Sequence, residues 1–229
     1  MKFKRIIDLS TPLDPRTVWM REDDPDPVQE GSGFWGKERE TRAWRETLGI
    51  ERWLEPPPNQ GLLEFITMNV HTGTHVDSEY QHDPKGQMLF EMPLEAFCGE
   101  AVSLDMSFVG PSNEIRAEHL EKVADKIMSV DAVFMYSEFP TRKNAPLLIY
   151  ESALWLADRG IKAFGTGGMS ICHDRRAHEH HHRRKLAVYD RLDTDGLKLL
   201  SGKRFFFVGF PLRINYLAAS PCRVIAFGG

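Results

Sequence analysis

The chain has no apolar run long enough to cross a bilayer, and its first eight residues, Met1-Lys2-Phe3-Lys4-Arg5-Ile6-Ile7-Asp8, lack the apolar core of a signal peptide. A cytoplasmic protein is the expectation. Cysteine is scarce: Cys98, Cys172 and Cys222 are odd in number and widely spaced, with no Cys-x-x-Cys pair, which sets aside a disulfide scaffold. Excess charge is also missing. With 29 basic and 33 acidic residues the net charge is −4, so electrostatics favours neither nucleic acid nor an anionic membrane as partner, and Arg183-Arg184-Lys185 is too short to change that. Phosphate motifs are absent too. Gly165-Thr166-Gly167-Gly168 has neither the P-loop nor the Gly-x-Gly-x-x-Gly spacing and reads as a tight turn that lets backbone approach a site.

What remains is an ordinary globular composition, 41% hydrophobic and 27% charged over 229 residues, enough to bury the core of a single domain spanning 1–229. Strand-like segments at 3–9, 62–70, 100–106, 130–136 and 161–164 alternate with helical patterns at 116–128 and 146–159. In the first helix Ala117, Leu120, Val123, Ala124 and Ile127 form one stripe and His119 points off it toward solvent. Closing strands are expected at 204–210, 211–216 and 222–227. The class is α/β, with a mixed sheet or barrel-like β core and flanking helices.

Residues 14–58 break this regularity with repeated proline and glycine and four tryptophans, Trp19, Trp35, Trp44 and Trp53. Only 37–53 could be helical. Such a loop-rich segment can cover a site as a flap, with Trp19 and Trp35 as candidate contacts to a flat or aromatic substrate. Packing of the tryptophans in the core or at a subunit contact explains them equally well.

The chemistry concentrates in His71-Thr72-Gly73-Thr74-His75-Val76-Asp77-Ser78-Glu79-Tyr80-Gln81-His82, which holds three of the nine histidines and two carboxylates. Imidazole nitrogen and carboxylate oxygen are the usual donors to a borderline divalent cation, so His71, His75 and Asp77 are candidate ligands. Thr-Gly-Thr disfavours a helix between them, and a strand end entering a tight turn fits better. Mutual hydrogen bonding of His and Asp is the competing explanation. A second cluster, between His173 and His182, holds five of the other six histidines. Most of these imidazoles belong to a solvated run, and one or two could reach a site.

Joined, these segments resemble the cyclase-like metal-dependent hydrolases, the family of bacterial kynurenine formamidase and isatin hydrolase. His71, Gly73, Thr74, His75 and Asp77 match its hallmark His-x-Gly-Thr-His-x-Asp-x-Pro-x-His in register. Asp8-Leu9-Ser10, Gly160-Ile161-Lys162, Pro211-Leu212-Arg213-Ile214 and Ser220-Pro221-x-Arg223 extend the likeness over most of the chain. The resemblance implies a swivelling β/β/α fold, homo-oligomers, and zinc or manganese held by His71, His75 and Asp77. It further implies a late ligand at Asp190, with His178 as the accompanying His twelve residues ahead of it. Glu79 stands where the hallmark has Pro and Gln81 where it has its last His, with His82 one place later, so a single ion is the more economical reading.

The expected reaction is hydrolysis of an amide, lactam or lactone-like carbonyl in a small molecule, with hydroxide made available by the ion. His178, then His82, would shuttle protons, and Gln81 could orient water or an amide. A lyase or cyclisation reaction on the same ion, or a degenerate relative that keeps its metal without catalysis, are the alternatives.

Overall fold

The computed structural model describes residues 5–13, 48–53, 63–81, 85–139, 143–171 and 186–228. The chain divides into two compact units, one of residues 1–11 and 74–229, the other of residues 12–73.

The larger unit is built on a nine-stranded mixed sheet. Its strands are β1 (Arg5–Asp8), β4 (His75–Asp77), β5 (Cys98–Asp105), β7 (Ala132–Tyr136), β9 (Ala163–Gly167), β11 (Ala187–Asp190), β12 (Arg204–Val208), β13 (Ala219–Pro221) and β14 (Ile225–Gly228). Their spatial order is β1-β14-β12-β5-β7-β9-β11-β4-β13. The centre, β5-β7-β9-β11, is parallel, and every other pairing is antiparallel. Parallel strands need both faces covered, and the composition provides for it. All five residues of β7, Ala-Val-Phe-Met-Tyr, are buried.

Alternation sends them to opposite cores. Phe134 joins Phe97, Tyr189, Phe205 and Phe207 on one face, while Val133 and Met135 join Leu104, Leu148, Leu156 and Phe164 on the other. On the first face Phe134 meets the rings of Phe207 at 5.1 Å, Tyr189 at 5.8 Å and Phe205 at 6.1 Å. The buried Tyr189 hydroxyl donates to the Gly209 carbonyl at 2.7 Å, and burial holds its phenol well above the ordinary range.

Helices lie on both faces. α1 (Ala117–Glu121), α2 (Ala124–Ile127) and α3 (Tyr150–Asp158) contribute to the Met135 side, and α4 (Thr194–Leu199) to the Phe134 side. The helix expected over 116–128 is therefore two short ones, broken where Val123 leaves helical geometry at φ −121°, ψ 12°. His119 is not turned to solvent. Its Nδ1 accepts the Arg116 amide at 3.0 Å at the start of α1. The tryptophan of α3, Trp155, donates to Glu121 at 2.8 Å and carries Arg159 over its ring at 3.4 Å, tying α3 to α1. Three two-residue strands, β6 (Glu114–Ile115), β8 (Leu147–Leu148) and β10 (Ser170–Ile171), make a separate parallel sheet in the order β10-β8-β6. Among the described residues no helix is long and apolar enough to cross a membrane.

In the smaller unit β2 (Leu48–Trp53) pairs antiparallel with β3 (Leu63–Met68), so the end of the segment expected to be helical is a strand. Residues 37–47, and the flap tryptophans Trp19, Trp35 and Trp44, lie outside the described residues.

Two further expectations are corrected. Residues 211–216 are not a strand: Pro211 removes an amide, Tyr216 sits at φ +65°, and the segment runs exposed to β13. The glycines at 165–168 are not all turn. Gly165 and Gly167 belong to β9, where a Cβ on Gly165 would lie 2.7 Å from Tyr189 Cβ, and the bend falls at Gly168, at φ +65°.

The chain ends are tied by Asp8 and Arg223, whose guanidinium donates to the carboxylate at 2.6 and 2.9 Å. Burial pushes the Asp8 carboxyl up, but hydrogen bonds from Arg223 and Ser10 outweigh it and the net direction is downward. Asp131 behaves alike: burial raises it, and Lys162 with the Glu100 amide brings it below the ordinary value of 3.8. A carboxylate held low in the folded state contributes stability above its unfolded value that is lost as pH falls through the folded one. Unfolding followed by denaturant from pH 6 downward should therefore show stability dropping below about pH 4. Arg223→Gln should reduce that loss by no more than about 1 kcal/mol, because both partners are exposed to solvent. A slope unchanged in the variant would remove Asp8 from the acid response.

Candidate metal centre

β3 ends at Met68, and Asn69 starts the turn that follows. Its side-chain oxygen accepts the His71 amide at 2.9 Å and its carbonyl accepts the Thr72 amide at 3.0 Å. Gly73 then takes φ +64°, where a Cβ would also lie 2.4 Å from a Leu13 methyl carbon, so glycine is required twice over. From His75 the chain is extended again. The expected strand end running into a turn is present, with His71 in the turn after β3, and the turn then runs into a second strand, β4, which carries the other two candidate ligands.

Period-two alternation sorts β4. Val76 is fully buried in the Phe134-side core, so His75 and Asp77 share the other face, with only 3% and 7% of their surface exposed. β4 is gripped from both sides. Val188, Tyr189 and Asp190 of β11 stand opposite Asp77, Val76 and His75, while Ala219, Ser220 and Pro221 of β13 pair along its other edge. At its ends the Cys222 amide donates to the Thr74 carbonyl, and both amide and hydroxyl of Ser78 donate to the Ala218 carbonyl.

One ligand atom each from His71, His75 and Asp77 lies within 4.8 Å of the others, the group of this kind among the described residues. His75 Nε2 is 3.6 Å from Asp77 Oδ1. Donors around an ion with bonds of about 2 Å stand roughly 3–4 Å apart, so small side-chain adjustments would close this set on one cation. Its chemistry fits as well: a buried carboxylate beside two imidazoles is costly without a compensating charge, and a borderline divalent ion supplies one.

Asp190 is brought beside the group but is not part of it. As the partner of His75 across an antiparallel ladder its side chain shares that face, with Cβ atoms typically about 5 Å apart. Its Oδ1 accepts the Arg191 amide at 2.9 Å and the Thr166 hydroxyl at 3.3 Å. Gln81 closes a 3-10 turn, Glu79–Gln81, its backbone amide donating to the Ser78 carbonyl at 3.1 Å. His82, His178 and the whole run from Cys172 to Lys185 fall outside the described residues. Burial and the Asp77 carboxylate push the Cys222 thiol up to about 12, which keeps it neutral.

Nothing in the sequence signals the contacts made by Thr11, Thr74, Thr166 and Arg191. Thr74 was in view as part of the motif, but hydroxyl contacts spanning 63 and 117 positions leave no trace in one sequence. The segments that resembled the family at either end do meet: beside the Asp8 and Arg223 pair, the Ser10 hydroxyl accepts the Val224 amide at 2.7 Å.

The profile of a family described as putative cyclase matches residues 7–172. A kynurenine formamidase of Bacillus cereus is 25% identical over 164 residues, covering 70% of this chain and 77% of that protein. The kynurenine formamidase of Paracidovorax citrulli is 29% identical over 223 residues, covering 92% and 96%. Among solved structures, a potential metal-dependent hydrolase with cyclase activity superimposes with a TM-score of 0.67 at 20% identity, over 98% of both chains. Isatin hydrolase A from Labrenzia aggregata, bound to benzyl benzoate, gives 0.67 at 22% identity over 98% of this chain and 93% of that one. These structures share the fold.

Proposed function

The chain belongs to the putative cyclase family, and from that premise we propose that it is a metal-dependent hydrolase cleaving the C–N bond of an amide or lactam, or a lactone-type C–O bond, in a small molecule. The observation that carries the reading is the convergence of His71, His75 and Asp77, two of them buried on one strand face. These three residues would hold one divalent ion, zinc or manganese, with Asp190 as the fourth protein ligand. When bound, such an ion polarises a carbonyl and lowers the pKa of water near it.

The chain's own residues do the rest. An imidazole nitrogen of His178, or failing that His82, takes and returns the proton, since imidazole titrates near neutral pH. The Gln81 amide orients water or the substrate's amide. Trp19 and Trp35, in a flap over about 14–58, cover a flat substrate and exclude bulk water.

The proposal includes the setting. Described cysteines Cys98 and Cys222 are free thiols, which suits a reducing compartment, and we place the protein in the cytoplasm. A homodimer or higher homo-oligomer would cover the exposed Phe90, Leu212, Ile214 and Tyr216.

The test is turnover of N-formyl aromatic amides, lactams and lactones by zinc- or manganese-loaded protein in ¹⁸O-labelled water. Hydrolysis places one labelled oxygen in the product acid. Product without label would mean a lyase or cyclisation reaction, and bound metal without turnover of any of these classes would mean a non-catalytic relative. Either result overturns the reading.

A further inference from the structure

Asp190 is followed by an irregularity that β11 does not need. Arg191 stands at φ +58°, a left-handed conformation that side chains larger than glycine rarely adopt. The arrangement around it shows what that conformation holds. The Arg191 carbonyl accepts two hydroxyls, Thr74 Oγ1 at 2.6 Å and Thr11 Oγ1 at 2.9 Å. Thr74 Oγ1 in turn accepts the Thr11 amide at 2.9 Å, so its one proton is committed to Arg191. On the other side of the same residue, the Arg191 amide donates to Asp190 Oδ1, which also receives the Thr166 hydroxyl from β9. Thr74 immediately precedes His75 and is 3% exposed.

A short chain of contacts therefore runs from His75, through the Thr74 hydroxyl and the Arg191 backbone, from its carbonyl across Cα to its amide, to the Asp190 carboxylate. Ladder hydrogen bonds already set Asp190 opposite His75 in register. They leave the carboxylate's rotamer open, and the donors on Oδ1 bear on it. We infer that Thr74 is a positioning residue of the metal centre: its hydroxyl latches the Arg191 carbonyl and thereby fixes where the Asp190 carboxylate stands relative to His75 and Asp77. Thr166 faces the same carboxylate from β9, its one hydroxyl proton shared between Asp190 Oδ1 at 3.3 Å and the Met169 carbonyl at 3.4 Å. The inference rests on the metal-centre reading above and adds to it a role for two residues that are not ligands.

A clip that only stabilised the fold would change melting temperature and nothing else, so the test reads the ion. Purified protein is stripped and titrated with Co(II), whose visible bands report ligand geometry. Thr74→Val keeps the shape and removes the hydroxyl, Thr74→Ser restores it, and Thr166→Val acts from outside the motif. The expected result is a 10- to 100-fold weaker Co(II) dissociation constant and altered bands for Thr74→Val, the range found when groups behind a ligand are removed. Thr74→Ser should return both to wild-type values, and Thr166→Val should alter the bands in a folded protein even if Thr74→Val misfolds. Wild-type affinity and bands in both valine variants, with His75→Ala losing the ion, would overturn the latch and leave the metal centre standing. Failure of the wild type to take up Co(II) would overturn both.

Discussion

His75→Ala should lose its metal and lower kcat/KM by about a thousandfold or more, with the fold retained. The magnitude follows from the charge stabilisation an ion gives a polarised carbonyl, several kcal/mol, at about 1.36 kcal/mol per factor of ten. His75 is the ligand whose loss should cost most. It is 3% exposed, its imidazole lies 3.6 Å from Asp77, and the ladders to Asp190 and Pro221 hold its backbone in the sheet. Metal content by elemental analysis, circular dichroism and turnover on one preparation decide the matter. Full metal content in a folded His75→Ala protein would show that the ion sits elsewhere, with the histidines of 173–182 as the first place to look.

The largest expected effect on stability belongs to Phe134→Ala, about 4 kcal/mol, seen as a fall in Tm on the order of 10 °C. Phe134 is fully buried at the middle of the central strand β7 and touches three rings that come from β11 and β12. Removing it leaves a cavity that the two-sided sheet cannot collapse to fill, because the strand's other face is anchored by Val133 and Met135 in the opposite core. Phe134→Leu should recover more than half of the loss. A fall of less than about 3 °C for the alanine variant would mean that the core relaxes around the site and that the ring contacts contribute little.

How far the fold was legible depended on which force shaped each element. β7, buried along its whole length, and β12, Arg-Phe-Phe-Phe-Val, show as apolar runs, and both were placed within a few residues, as was β5. α3 was legible from its glycine exit at Gly160, but it starts at Tyr150 and not at Pro146, because Leu147 and Leu148 are taken into β8. The elements that were missed are those set by distant partners. β13 is three residues long and exists because β4 offers it a ladder. β2 carries a pattern open to helix and strand alike, and pairing with β3 decides it. The break at Val123 has no proline or glycine to announce it.

The site followed the same rule. His71, His75 and Asp77 lie within seven residues, and their chemistry is visible without a structure. Resemblance brought Asp190 into consideration, and the ladder from β11 to β4 gave it a physical place opposite His75. Arg191 could not have been found, since nothing in an arginine's identity signals a positive φ, and the threonines that meet it have no local periodicity to mark them.

The grip on β4 from β11 and β13 also fixes when the site can come into being. Its first partner lies more than a hundred residues later in the chain, and its second ends at Pro221, so on the ribosome His75 and Asp77 emerge long before anything exists to pair with them. The parallel centre can form while synthesis continues, but the metal-holding strand waits for the closing segments. The centre is assembled among the last contacts of folding, and a nascent chain stopped short of residue 219 would carry its ligands on an unpaired edge.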